Sequence, residues 1–175
     1  VSLSQIYLML NNTFYYGEFE YPDGSGNYGV YGQGVDITQT EAFKKWFGDS
    51  KVVDKKGNPM VVYHGGPDIR FAKNEDTAIF RERSKKGFFF TGNLKMAYTY
   101  ADPKRAFDYQ NAESGVIPVY LSIQNPLIID YKGERWRASK ETYIEEAKEN
   151  GHDGVILKNV RDSYHPDGKI KGDVY

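Results

Sequence analysis

Residues 60–66 read MVVYHGG, and residues 87–101 read GFFFTGNLKMAYTYA. The first run is β-branched and aromatic, is entered from the turn KKGNP at 55–59, and closes on two glycines. That is the pattern of a strand ending at Tyr63, His64, Gly65 and Gly66, with His64 where strand meets loop. The second run predicts an aromatic strand, GFFFT, followed by a helix begun near Asn93. On that helix Leu94, Ala97, Tyr98 and Ala101 share an apolar stripe. Tyr100 lies about 120° away from it at the helical period, so Tyr100 need not belong to the core. Alternation along a strand sends Phe88 and Phe90 to one face and Phe89 to the other.

Working outward, Thr38 and Glu41 have the spacing of a capping box. Phe43, Trp46 and Phe47 fall on one helical face behind it, and Gly48 supplies a stop. The segment VVD at 52–54 predicts a short strand before the 55–59 turn. Downstream come a strand GVIPVYLSI at 115–123, an Asn125-Pro126 turn, and a strand LIID at 127–130. A helix from Ser139 or Thr142 to Asn150, stopped by Gly151, and a strand GVILKN at 154–159 complete the pattern. Strands outnumber helices and do not alternate regularly with them. The fold class is therefore α+β, short flanking helices against a pair of packed sheets, rather than a doubly wound sheet.

The 175 residues suffice for one domain with an appendage, and 39% apolar with 27% charged residues is the composition of a folded, water-soluble body. A net charge of -1 offers no general attraction to nucleic acid or an anionic membrane. With no cysteine, disulfides, thiolate zinc sites and a cysteine nucleophile are excluded. The opening VSLSQIYLML lacks a cationic start and is too short and polar for a signal peptide or membrane span. Its first residue is not Met, as expected of a piece of a longer chain.

Residues 1–37 read as a loop-rich, acidic N-terminal extension and 38–175 as the folded domain. Residues 1–36 hold no Lys or Arg but carry Glu18, Glu20, Asp23 and Asp36, which leaves the remainder with 23 basic against 20 acidic side chains. Such an extension could dock on a partner or a neighbouring copy. Its GSGNYG at 24–29 has the glycine spacing of a dinucleotide fingerprint, but no apolar strand precedes it and no helix follows, so turn glycines are the better reading. Asn11 and Thr13 form a glycosylation sequon without any sign of secretion. His152 and His165, with Asp153 or Asp167, lack the spacing of a metal motif, so no metal is expected. The basic run at 81–86 reads as a solvated loop, with a phosphate or target contact as the alternative.

Taken singly, His64 reads as a strand-end histidine bonded within the core, the phenylalanine run as core, and Tyr100 as a helix flank. The ordered set says more. The stretches at 43–66 and 87–101, then VYLSIQNPLIID at 119–130, GHDGVILKNVRD at 151–162 and DVY at 173–175, resemble the ADP-ribosyltransferase domains of phage and mobile-element polyvalent proteins. Those domains belong to the His-Tyr-acid class of diphtheria toxin and the poly(ADP-ribose) polymerases. The resemblance runs in order over roughly 41–175.

That resemblance implies NAD+ as substrate and contacts from Tyr63, His64, Gly65, Phe89 and Tyr100, with His64 and Tyr100 catalytic. His64 matches the histidine that hydrogen-bonds the adenosine ribose, and Gly65 the glycine whose backbone holds the nicotinamide carboxamide. Phe89 and Tyr100 match the aromatic pair around the nicotinamide ring. The activity implied is cleavage of the nicotinamide–ribose bond, with ADP-ribose passed to a protein or nucleic-acid acceptor or to water. A module that keeps the fold but not the chemistry, in a phage particle or a protein delivered into a target cell, is the alternative.

Aromatic faces attract a desolvated pyridinium by about 2 kcal/mol or more. Positive charge leaves that ring as the bond breaks, so stacking favours the ground state, and another group must stabilise the ribosyl cation. In the family a late-strand carboxylate or Gln does so. No such motif precedes Tyr175, which predicts NAD+ binding with weak or absent turnover. Phe89 stands where Tyr is usual, and Gly66 where Thr is common.

Overall fold

The computed structural model describes residues 36–67, 87–102, 104, 114–136, 142–161 and 171–175, and the backbone of short strands at 19–22, 28–31, 70–71 and 78–79. The sequon at Asn11, the basic run at 81–86, His165 and Asp167 lie outside these residues. The fold is α+β. Strands β1 (Phe19–Pro22) and β2 (Tyr28–Tyr31) come first, then helix α1 (Glu41–Phe47), β3 (Val62–Gly66), β4 (Arg70–Phe71) and β5 (Ala78–Ile79). Helix α2 (Leu94–Tyr100), β6 (Gly115–Val119), β7 (Pro126–Asp130), α3 (Thr142–Glu149), β8 (Gly154–Arg161) and β9 (Lys171–Val174) follow.

β1 and β2 pair as an antiparallel hairpin, Phe19 against Tyr31, where the sequence suggested only loops. FEYP and YGVY are rich in residues that suit a pleated strand, too short to show a period. The capping box also shifts. Thr40, not Thr38, caps α1 by accepting from the Phe43 N–H at 3.2 Å. Asp36 caps a separate 3-10 turn at Ile37–Gln39, to which Thr38 belongs. Gly48 ends α1 at φ 52°, as expected. Phe43 and Phe47 stack at 5.4 Å, and Tyr120 meets Phe43 edge-on at 5.0 Å.

One ladder pairs β3 with β6 antiparallel, Tyr63 opposite Pro118 and Gly65 opposite Val116. A second pairs β7 parallel to β8 through the crossover helix α3, with β9 antiparallel on the far edge. The segment VVD contributes only a bridge from Val53 to Pro59. Leu121 to Ile123, expected to extend a strand, are buried without strand pairing. There the Ser50 hydroxyl takes over the backbone's partners. It donates to the Leu121 carbonyl at 2.8 Å and accepts from the Ile123 and Val52 N–H groups.

GFFFT is the seam between the ladders. It forms no strand of its own, yet Thr91 bridges both Tyr63 and Val174. Tyr63 and Thr91 exchange backbone hydrogen bonds, as do Phe90 and Tyr175. The pairing with β3 goes no further, and there the Phe89 carbonyl accepts from the His64 imidazole at 2.8 Å. Phe90 enters the main core with Val62, Ile117, Leu121, Ile123 and Ile156, and Phe88 packs against it. Phe89 faces away, 39% exposed, as the pleat predicted.

α2 begins at Asn93, whose side chain accepts from the Met96 N–H and donates to the Lys171 carbonyl. Its buried face is Met96 and Ala97, so of the expected stripe Ala97 is buried while Leu94 and Tyr98 are 41% and 49% exposed. The helix packs across β3 with its backbone close to the strand at Gly65, where the small Ala97 fits, and the flexible Met96 fills the space beside it. A bulge in β8 between Leu157 and Val160 completes the scaffold. Three residues apart, these side chains would face opposite sides of a regular strand. The extra residue lets both join one cluster with Tyr131. Asn159 adopts φ 56° in the bulge, its N–H bonded to Asp173 and its side chain to Asp130.

Candidate functional site

Where β3, the seam and α2 meet, a cleft of about 290 Å³ opens. Tyr63, His64 and Gly65 supply one wall, Phe89 and Thr91 the floor, and Ala97 and Tyr100 the helical side. All five residues singled out in the sequence thus line one cavity, although they come from three separate segments. Trp136, Val160 and Val174 close it from the second ladder. Among the described residues that line it, none carries a carboxylate or a cationic ammonium or guanidinium group.

His64 is tied in place. The Phe89 carbonyl can only accept, so the imidazole Nδ1 donates, and in the neutral ring this leaves Nε2 as the acceptor. Burial pushes the His64 pKa below its usual 6.5, and the bond to the Phe89 carbonyl opposes that only in part. The ring is therefore neutral at physiological pH. The Phe90 ring also lies beside it, at 5.5 Å.

Gly65 has a packing requirement of its own. A Cβ there would run into the Ala97 carbonyl, with the Ala97 carbonyl carbon at 2.7 Å. Only glycine lets α2 lie this close to β3, and that closeness brings Tyr100 to the cleft. The backbone directions matter as well. Tyr63 exchanges hydrogen bonds with Thr91 on the seam side. Two residues on, the pleat points the Gly65 N–H and C=O the same way, where the seam has turned aside to His64.

Trp136 escaped the sequence reading. Its indole meets the Phe89 ring at 6.5 Å and 71°. The main chain is held beside β8: the Trp136 N–H donates to the Arg161 carbonyl, and the Arg161 N–H donates to the Glu134 carbonyl. Sequence offered little to find it by, since ERWR has no strand period and the residue reaches the cleft only through β8. Val160 was hidden for another reason, because it faces the cleft only through the bulge.

His152 Nδ1 lies 3.1 Å from the Asn125 carbonyl, and the Asp153 carboxylate accepts from the Gln124 and Asn125 N–H groups, tying the turn before β7. No group of three metal-ligating side chains occurs among the described residues, and no described helix is long and apolar enough to cross a membrane.

The family model of ADP-ribosyltransferases in polyvalent proteins matches residues 54–171, more than half of the chain. The chain belongs to this family. No curated protein and no solved structure matches it. The ADP-ribosyltransferase match takes in β3, the seam, α2 and Trp136, and so spans every wall of the cleft except Val174.

Proposed function

We propose that this ADP-ribosyltransferase-family domain, residues 38–175, takes NAD+ in the cleft and breaks its nicotinamide–ribose bond, passing ADP-ribose to a macromolecular acceptor or to water. The observation that carries the proposal is the convergence of Tyr63, His64, Gly65, Phe89 and Tyr100 on one cavity. Its aromatic lining suits a flat pyridinium cation. At about 290 Å³ it lies at the lower end of ligand-pocket sizes, enough for a ring and its sugar, so the rest of the dinucleotide would extend beyond it.

In this reading His64 Nε2 accepts from a ribose hydroxyl, a role open to the neutral tautomer that the Phe89 carbonyl selects. The Gly65 peptide offers one donor and one acceptor side by side, the complement of a carboxamide. Phe89 and Tyr100 flank the ring, and Tyr63 adds a wall. As the glycosidic bond breaks, positive charge moves from the ring to the ribosyl carbon, where a negative or strongly accepting group is needed.

A second reading, NAD+ binding without turnover, is favoured by one observation: no carboxylate or side-chain amide lines the cleft among the described residues. The experiment separates the two. The full chain is incubated with NAD+ labelled in the adenosine half, and free nicotinamide and labelled protein are followed for wild type and His64→Ala. Turnover requires nicotinamide release above buffer that His64→Ala abolishes. Binding alone predicts thermal protection by NAD+, about 2.7 kcal/mol at a hundredfold excess over Kd, with release at the buffer rate. Neither protection nor release would remove NAD+ from the account.

A further inference from the structure

We propose that Trp136 makes the cleft selective for the oxidised, cationic nicotinamide ring over the neutral, reduced one. The inference rests on the nicotinamide assignment above and names the residue that decides which redox form is taken.

Three features of the fold converge on Trp136. Its main chain is held beside β8 by two backbone hydrogen bonds with Arg161, which fix the point from which the indole reaches the cleft. Its plane stands at 71° to Phe89, so the two rings make a corner and not a parallel slot. It lines the cavity beside Val160, with Tyr100 contributing the helical wall.

A flat ring laid against one wall of such a corner meets the other wall with its rim. Aromatic faces are electronegative and rims electropositive, so the rim-to-face contact is attractive for any aromatic guest. It is stronger for a guest carrying a full positive charge, and indole is the best of the three aromatic faces for a cation. A reduced nicotinamide ring is neutral and loses that charge term at both walls. With no charged side chain among the described lining residues, the aromatic faces are what can sense the difference. Phe89 offers a face as well, but a weaker one, and at 39% exposure it is better hydrated.

The test is calorimetric titration of the full chain with NAD+ and with NADH, for wild type, Trp136→Leu and Trp136→Phe. Wild type is expected to prefer NAD+ by about fivefold to thirtyfold, the range that one or two desolvated cation–aromatic contacts supply. Trp136→Leu should lower the ratio at least about threefold, mainly by weakening NAD+, with the remainder left to Phe89 and Tyr100, and Trp136→Phe should fall between. Trp136 is half-buried, so these variants should fold. Should Trp136→Leu fail to give a cooperative thermal transition, Trp136→Met carries the same expectation.

An unchanged ratio in the faceless variant overturns the proposal. If NAD+ still binds in a His64-dependent way, the nicotinamide assignment survives that loss. If wild type binds neither nucleotide, or His64→Ala binds NAD+ as wild type does, the assignment itself is lost and the role of Trp136 with it.

Discussion

Gly65→Ala is expected to damage fold and cleft together. The added methyl would overlap the Ala97 carbonyl and stand 2.7 Å from its carbon and 3.1 Å from the Ala97 Cα. Comfortable carbon–carbon contact begins near about 3.5 Å, so α2 must retreat from β3 by about 1 Å. What meets the methyl is helix backbone, which cannot yield alone as a flexible side chain could. Overpacking of this kind costs about 1–3 kcal/mol. Lifting the helix also loosens Met96 and Ala97, both nearly fully buried, whose burial contributes about 3 kcal/mol at most. A net loss of about 2–4 kcal/mol lowers the melting midpoint of a chain this size by about 5–15 °C. Circular dichroism melts at fixed pH measure it directly. A midpoint within about 2 °C of wild type would show that β3 and α2 are not in this close contact, and the account of how Tyr100 reaches the cleft would fail with it.

Other expectations follow from single contacts. Because burial lowers the His64 pKa, protonation works against the folded state. The stability contributed by the neutral ring is fully present above pH 6.5 and lost as pH falls through the lowered folded value. An NMR titration of its ring protons should show a midpoint below 6.5, and NAD+ affinity should stay flat from pH 8 to about 6.5; a midpoint at or above 6.5 contradicts the burial account. Ser50→Ala strips the Val52 and Ile123 N–H groups and the Leu121 carbonyl of a buried partner, and should cost about 2–4 kcal/mol in urea unfolding without altering ligand affinity. Thr40→Ala should cost about 1 kcal/mol by uncapping α1, and Thr38→Ala less than about 0.5 kcal/mol; equal costs would restore the capping box first read from the sequence.

Comparing the two capping positions shows where sequence reasoning slipped. Thr38 and Thr40 are equally good caps chemically, and only the intervening 3-10 turn, itself capped by Asp36, decides which one meets the helix. The α2 stripe failed for a related reason. Apolar period marks candidate faces and included Ala97, but packing against β3 turned the buried face toward Met96 and left Leu94 and Tyr98 exposed. The N-terminal hairpin was missed because four-residue strands are too short to carry a period.

By itself the sequence determined the α+β class and the elements β3, α2, β6, β7, α3 and β8 to within a few residues, and it singled out the ordered residues His64, Gly65, Phe89 and Tyr100. The class and the elements rest on local chemistry, namely β-branched runs, caps and turn glycines, with alternation separating Phe89 from Phe88 and Phe90, whereas the site residues rest on the family resemblance. Tertiary structure alone decided that GFFFT would be a seam and not a strand, bridged only at Thr91 and with the Phe89 carbonyl accepting from the His64 imidazole. It alone brought Trp136 and Val160 to the cleft, through a bridge to β8 and a bulge within it. Register and bulges are settled by long-range pairing and shared burial, and no local stretch of residues contains that information.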